Sequence, residues 1–505
     1  MKKLVGVQDK AGPPAPFPHQ VTAFMISRDR EAFALLMEQG TGKSRVIIDT
    51  SHYLWTNGKI DSVMIIAPKG VYQNWVVEGG EFDTHYPLSD RIRIDEVVWK
   101  SDAKVAESEL LKRSLGLVPS GTLRVLVMNV EAFSASDRAA RYAQAYLKTH
   151  KVLMVIDESN CVANPKSKCT KVLVQLGGMA RYRRILTGTP IGNSPLDLYA
   201  QFRFLDPSIL GHNSFFSFRN AFAIVRKVTI GSNRFDQVVG YQNLGQLQQL
   251  IKDSSFRILK KECLDLPPKI YQKVWFPMAP AQRAIYDDLR LKSVAEIAES
   301  NQQITTELVI TKMMRLQQIA AGFATFDFTD KPESIHKDPD SDPRMKLFED
   351  TLSRIMRDDP TRRVLVWSHY RWCLARLEAS VRKSLGPGSV AIFHGGIKQE
   401  DRLKGVRDFQ DLKSKVRVLV ANPQAAGRGL TLTAASHVIY FTCDYSLLDR
   451  SQSEDRTHRI GQDKSVVYTD ILAEDSIDKK VLAMLMKKVQ LAQLVTGDRW
   501  KSLFE

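Results

Sequence analysis

The chain has 505 residues, too many for one hydrophobic core and suited to two or three domains. Hydrophobic residues make up 44% and charged residues 25%, an ordinary globular composition, and the 72 − 56 = 16 excess of Lys and Arg over Asp and Glu is a mild bias toward polyanions. Five cysteines with no C-x-x-C pair argue against a disulfide framework or structural zinc. No apolar run approaches the roughly 18 residues a membrane helix needs, so no membrane partner is expected and the cytosol, of a host cell if the protein is viral, is the expected location.

A proline-rich lead-in, residues 11–18 (AGPPAPFP), runs into His19-Gln20. The amide of Gln20 both donates and accepts, so it suits an adenine edge or simply a wet surface. Residues 32–37 (AFALLM) have the length of a buried strand. Glu38-Gln39-Gly40-Thr41-Gly42-Lys43-Ser44 follow, then an amphipathic helical stretch over 45–55. Strand, glycine-rich turn and helix in this order make an anion site. Glycines let backbone N–H groups face phosphate oxygens, and the helix N-terminus adds partial positive charge. Lys43 is placed to reach the β- and γ-phosphates of a nucleotide, and Ser44 to hold magnesium. The full pattern, G-x-x-x-x-G-K-[ST], asks for Gly where this chain has Met37.

Residues 62–67 (SVMIIA) are a second strand, and Lys69, Asn74 and Trp75 lie just past its end. Residues 123–128 are a third, followed by Asn129, and residues 152–156 a fourth, which delivers Asp157 and Glu158. Asp157 suits a water-mediated magnesium contact; Glu158 suits orienting and deprotonating an attacking water. Strands alternating with helices predict a parallel α/β sheet, whose ligands meet the carboxyl ends of its strands. The hydroxyl-rich loop 187–193 (TGTPIGN) is able to couple a nucleotide site to a second one, or to serve as a plain turn.

Three stretches, IIAPKGVYQNW (65–75), IDESN (156–160) and LTGTPIGNSPLDLYAQFRFLDP (186–207), resemble the motor core of superfamily-two helicases, and within it the switch/sucrose-nonfermenting branch of DNA translocases. The resemblance implies two RecA-like doubly wound parallel-sheet lobes, residues 1–265 and 266–505, with helical insertions, a C-terminal helix and ATP between them. It implies that Gln20 contacts adenine, that residues 38–44 and Gln452 and Gly429 line the nucleotide, that Ser44 and Asp157 bind magnesium, and that Asp157 and Glu158 serve hydrolysis. It places Lys69, Asn74, Trp75 and Asn129 of the first lobe and His369, His394, Gly395 and Arg428 of the second along a nucleic-acid track. Taken alone, His369 or His394 is a structural histidine by default; their shared position at strand ends puts a phosphate-backbone contact on an equal footing.

Residues 196–270 read as helix-rich, their phenylalanines (Phe202, Phe204, Phe215, Phe216, Phe218) as core rather than base-stacking platforms. Leu266-Pro267-Pro268 is a hinge candidate. Residues 327–343 are acidic and lack apolar periodicity, which predicts an exposed loop or an acidic regulatory arm. Strands at 363–367, 389–393, 416–420 and 437–441 predict the second sheet. The stretch 452–462 (QSEDRTHRIGQ) places Arg456 and Arg459 three residues apart, on one face if the segment is helical. By the resemblance they are arginine fingers. The chain departs from the family at Met37, at Ser159-Asn160 where Ala-His is usual, and at Asn422-Pro423 and Thr431. The compactness resembles a bacterial or phage motor. The expected activity is ATP-driven movement along duplex DNA by a monomer, with little sequence preference, displacing DNA-bound proteins. Strand separation and a non-hydrolysing scaffold are the alternatives.

Overall fold

The computed structural model describes residues 14–86, 92–230, 233–299, 306–325, 331–426 and 430–498. Its strands, in chain order, begin with β1 (Ala32–Met37), β2 (Ser62–Ala67), β3 (Arg93–Val98), β4 (Thr122–Asn129), β5 (Val152–Asp157) and β6 (Tyr182–Leu186). A hairpin, β7 (Ala223–Ile230) and β8 (Asn233–Tyr241), precedes β9 (Ser255–Ile258). Then come β10 (Lys269–Phe276), the short pair β11 (Phe323–Thr325) and β12 (Pro332–Ser334), and β13 (Arg363–Trp367), β14 (Val390–Phe393), β15 (Val418–Ala421), β16 (Ala435–Tyr440) and β17 (Val466–Ala473). Contacts divide the chain into two bodies. The first holds the chain up to Phe222, Gln242–Leu264 and Leu494–Asp498; the second holds Ala223–Tyr241 and Asp265–Gln493.

In the first body, among the described residues, seven parallel strands run in the order β3-β4-β2-β5-β6-β1-β9. Helices on both faces explain why β1, β2 and β5 are unbroken apolar runs, buried almost from end to end. The register does the functional work. Leu186 pairs with Leu35 on one side and with Asp157 on the other, so β1, β6 and β5 end at one level. The loops carrying residues 38–44, 187–193 and 158–162 therefore leave the sheet side by side. Two helices matter here: α1 (Pro18–Ser27) and α2 (Lys43–Thr56), the latter starting at the end of the phosphate-loop candidate. A third, α3 (Leu198–Leu205), buries Phe202 and Phe204.

In the second body, among the described residues, six parallel strands run β10-β17-β16-β13-β15-β14. Alternation shows in β13: Val364 and Val366 enter one core cluster, Leu365 and Trp367 the cluster on the opposite face. Trp367 pairs with both Ala421 and Tyr440, and Phe393 with Ala421, so the loops after β13, β14, β15 and β16 share one edge. Helix α4 (Pro343–Asp358), α5 (Arg371–Leu385), α6 (Leu447–Glu454) and α7 (Ile477–Thr496) matter below; Ile477, Val481, Leu482 and Leu485 of α7 lie in this body's core.

Several expectations are corrected. Residues 223–241 are a hairpin rather than part of a helical insertion: β7 (AIVRKVTI) is rich in β-branched residues and pairs antiparallel with β8. Phe202, Phe204 and Phe218 are buried, but Phe216 is 62% exposed, with the Arg219 guanidinium 5.0 Å from its ring centre. The acidic stretch is not simply a loop. Its β12 pairs with β11, and Asp342 is fully buried, capping α4 through the N–H groups of Arg344 and Met345 and accepting from Arg376. Strand β17 is interrupted in sequence by Asp470, which hides it. Folding buries that carboxylate against Arg450, whose guanidinium also lies 3.6 Å from the Tyr440 ring centre.

Candidate nucleotide site and flanking loops

Gly42, the residue before α2, has φ 86°, and a Cβ there would lie 2.1 Å from the Gln20 amide nitrogen. Both reasons demand glycine. Met37 needs no glycine, because it is still in β1 with its side chain in the core. Its carbonyl instead accepts from Lys43 Nζ at 3.0 Å. The loop is braced from α1: His19 Nε2 donates to the Thr41 carbonyl at 2.8 Å and Gln20 Nε2 at 3.1 Å, while Gln20 Oε1 accepts from the Phe17 N–H. Gln20 thus has a bracing role that its sequence position did not reveal. One N–H and one lone pair remain on its amide. Thr41 Oγ1 closes the turn onto the Glu38 carbonyl, and Ser44 stands half-buried in the first turn of α2.

At the end of β5 both Asp157 oxygens are held: Oδ1 accepts from the Glu158 N–H at 2.9 Å, Oδ2 from Trp75 Nε1 at 3.1 Å. Burial, and next the charge of Glu158, raise the Asp157 carboxyl well above the ordinary carboxylate range; Lys43 and the Trp75 hydrogen bond oppose them. Glu158 has φ 49° and ψ 56°, left-handed for a residue with a Cβ, a strained conformation of the kind that gathers at functional sites. Its Oε1 accepts from Gln39 Nε2 at 3.1 Å, and its Oε2 is buried without a hydrogen-bond partner. Two neighbouring carboxylates, one unsatisfied oxygen and a lysine make a place where a cation and a polarised water belong.

The loop 187–193 packs directly on this centre: a Cβ on Gly188 would lie 2.8 Å from the Gln39 nitrogen. Gln201 on α3, fully buried, accepts from Ser159 Oγ at 2.7 Å and donates to the Pro190 carbonyl at 2.8 Å. Ser159, one of the departures from the family pattern, is therefore tied to loop 187–193. Sequence reasoning missed Gln201, and its only signal is a polar residue among the aromatics of α3. Arg257 was also missed; it donates to the carbonyls of Leu36 and Gly188 and pairs with Asp498.

Past β2, Lys69 and Asn74 are exposed and Asn129 is half-buried. Trp75 is not: at 2% exposure its ring faces the core and cannot offer a stacking surface, which removes it from the nucleic-acid track. Glu131, unnoticed in the sequence, accepts from the Lys69 N–H and from the Asn129 amide.

In the second body His369 hangs from Thr442 through its N–H, and its ring lies 3.7 Å from an Asp444 oxygen. Asn422 donates to the His369 carbonyl at 2.8 Å. His394 Nδ1 accepts from the Gly396 N–H at 3.0 Å. Burial first, then the cation Arg371, lower the His394 pKa, with Glu378 opposing them. Arg371, beside Gly395 and Gly396, is a cation that the motifs did not single out.

Arg456 and Arg459 lie beyond the end of α6 at Glu454, in consecutive turns, so helical spacing does not describe them. They converge all the same: both donate to the Leu430 carbonyl, at 3.2 and 3.3 Å. Gln462 holds the turns together by donating to the Thr433, Ala435 and Thr457 carbonyls. Arg456 is buried and Arg459 half-buried. Gln452, expected to line the nucleotide, is 1% exposed because α6 points it into its own body, and its Nε2 has no partner. Arg428 and Gly429 lie outside the described residues.

A match to the SNF2-related domain spans residues 18–322, more than half of the chain, and a match to the helicase conserved C-terminal domain spans residues 347–461. The chain belongs to the SNF2-related family. This SNF2-related chain is similar to the mouse DNA annealing helicase and endonuclease ZRANB3, with 27% identity over 97% of this chain and 41% of that protein. It is also similar to the uncharacterized ATP-dependent helicase MG018 of Mycoplasma genitalium, with 25% identity over 90% of this chain and 39% of that protein. It thus spans about two fifths of the length of these curated relatives. The solved Sulfolobus solfataricus SWI2/SNF2 ATPase core in complex with dsDNA matches 97% of this chain and 95% of that one at 20% identity and a TM-score of 0.40, which leaves the fold to be argued from the two sheets themselves.

Proposed function

We propose that this chain hydrolyses ATP when engaged on DNA and uses the cycle to move along the duplex, displacing or remodelling bound protein. The observation that carries the reading is the carboxylate pair: Asp157 held by two donors, beside a strained Glu158 whose free oxygen is buried. In this reading Glu158 Oε2 takes the proton of the attacking water while Gln39 fixes the other oxygen. Lys43 leaves the Met37 carbonyl for the phosphate oxygens, whose negative charge makes them the stronger partner. Arg456 and Arg459 are assigned to the charge on the transferred phosphoryl group. Among the described residues no cluster of three or more His, Cys, Asp or Glu forms a metal cage of its own. Magnesium uses one or two carboxylates plus phosphates and water; Ser44 and Asp157 would hold it, and it would supply charge that polarises the phosphate.

Contacts from Lys69, Asn74, Asn129, His369, His394 and Gly395 to a phosphate backbone carry little sequence information, so binding is expected to be salt-sensitive and sequence-blind. The protein is proposed to act as a monomer in a reducing, cytosolic setting; its five cysteines are all free. The hairpin β7–β8, which belongs to neither large sheet and exposes Ile224 and Val239, keeps strand separation as a second reading.

ATP turnover measured with no nucleic acid, single-stranded DNA, duplex, forked DNA and RNA tests the proposal. Duplex is expected to stimulate most, by about tenfold or more. Equal turnover in all five overturns the motor reading, and unwinding without displacement of a duplex-bound protein favours the second.

A further inference from the structure

The sequence offers Trp75 as a nucleic-acid contact, and the structure withdraws it. What the residue does instead is more informative. The segment 68–76 after β2 is a chain of tight turns: Val71 and Tyr72 donate to the Pro68 carbonyl, Asn74 to Val71, Val76 to Gln73. A one-turn 3-10 helix, Tyr72–Trp75, ends it. Its outer side carries the exposed Lys69 and Asn74; its inner side carries Trp75, packed against Phe82. From there the indole N–H reaches Asp157 Oδ2 at 3.1 Å. Asp157 Oδ1 is held by the Glu158 N–H, so the two bonds together fix the plane of the carboxylate.

The bland alternative is a core tryptophan that has found an acceptor. This molecule does not require one. Trp99 and Trp367 are buried with their indole N–H groups unpartnered. Trp75 alone among these three has a partner, and that partner is the carboxylate assigned to magnesium.

We propose that Trp75 is a positioning residue that ties the exposed loop of Lys69 and Asn74 to the Asp157 carboxylate, so that nucleic acid loaded on the loop sets the geometry of the magnesium ligand. This rests on the DNA-stimulated ATPase reading for its purpose, though not for the bond itself. Trp75→Phe keeps a buried aromatic ring and removes the donor together with part of the indole's volume, which is why the cycle compares binding with and without magnesium.

The experiment is a double-mutant cycle on Trp75→Phe and Asp157→Asn, read by equilibrium binding of methylanthraniloyl-ATP with magnesium and with EDTA. Trp75→Phe is expected to weaken binding about tenfold with magnesium, the worth of one hydrogen bond to a charged group. It should change nothing in EDTA and nothing further in the Asp157→Asn background. Duplex affinity should hold while duplex stimulation of turnover falls by a similar factor. Equal loss with and without magnesium, or the same loss in the Asp157→Asn background, overturns the proposal and leaves a core residue. If Trp75→Phe does not fold, the indole ¹⁵N–¹H spectrum decides. One of the seven tryptophan signals should move on Asp157→Asn and on adding magnesium to the nucleotide-bound wild type; none moving refutes the link. A wild type whose turnover ignores DNA would sink the motor reading, while the magnesium-dependent cycle would still report the bond.

Discussion

At the carboxyl edge of the first sheet, side chains of the candidate site bond to one another: Gln39 to Glu158, Trp75 to Asp157, Ser159 to Gln201. In the second body the candidate residues rest mainly on backbone: His394, past the end of β14, on the Gly396 N–H, and Arg456 and Arg459, beside the start of β16, on the Leu430 carbonyl. The first edge holds its carboxylates in a prearranged and partly strained geometry, as transition-state stabilisation requires. The second body holds cations on a neutral acceptor, which a phosphoryl oxygen outbids as a partner because its charge strengthens the bond.

The largest expected effect breaks the first edge. Glu158→Gln should lower duplex-stimulated turnover by about a thousandfold or more while methylanthraniloyl-ATP still binds, because the amide keeps the Gln39 contact and loses the base. Turnover near wild type would remove Glu158 from the chemistry. In the second body, Arg459→Ala should lower the turnover rate constant by about a hundredfold or more with the melting temperature unchanged, since the side chain is half-buried and its hydrogen bond goes to a carbonyl. An equal fall in stability would make it a structural arginine instead.

Gly42→Ala sharpens the contrast from the side of strain. With φ 86° and the Gln20 amide in the way, it should lower stability by about 1–2 kcal/mol and weaken nucleotide binding. Adding Gln20→Ala should recover the steric part but not the backbone part, which urea unfolding of both variants would separate.

The smallest effect belongs to the second body. Burial first, and Arg362 next, pull His437 down to about 4. Its folded pKa lies below the unfolded value, so the neutral ring favours folding above about pH 6.5 and that contribution is lost as pH falls toward 4. Discounted for partial exposure, the loss is about 1 kcal/mol. His437→Gln should flatten this part of the urea-midpoint profile between pH 7 and 5; an unchanged profile would reassign the acid sensitivity.

The elements that were legible in sequence share one property: both their faces are buried. β1, β2, β4, β5 and β13 show as apolar runs for that reason. β3 has a charged, half-exposed pattern at the sheet edge, and β17 carries Asp470, so neither stands out in one dimension. The hairpin β7–β8 hid inside an aromatic stretch that reads as helix. At the site, Gly40–Ser44 and Asp157–Glu158 were legible because phosphate chemistry restricts both residue type and spacing. The braces His19, Gln201 and Arg257 were not, since any donor of suitable reach would serve and only folding shows which one arrives.

Taken alone, the order of residues determined that strands alternate with helices, that a glycine turn precedes Lys43 and Ser44, and that paired carboxylates end a strand. These follow from local sterics and solvation, which neighbours in the chain settle between themselves. Only the folded arrangement decided that β6 brings β1 and β5 to one level, that Trp75 turns inward to Asp157, and that two arginines off any helix meet at the Leu430 carbonyl. Those depend on strand order and register, and hydrogen bonds between residues 82 apart, such as Trp75 to Asp157, have no signature in the local sequence.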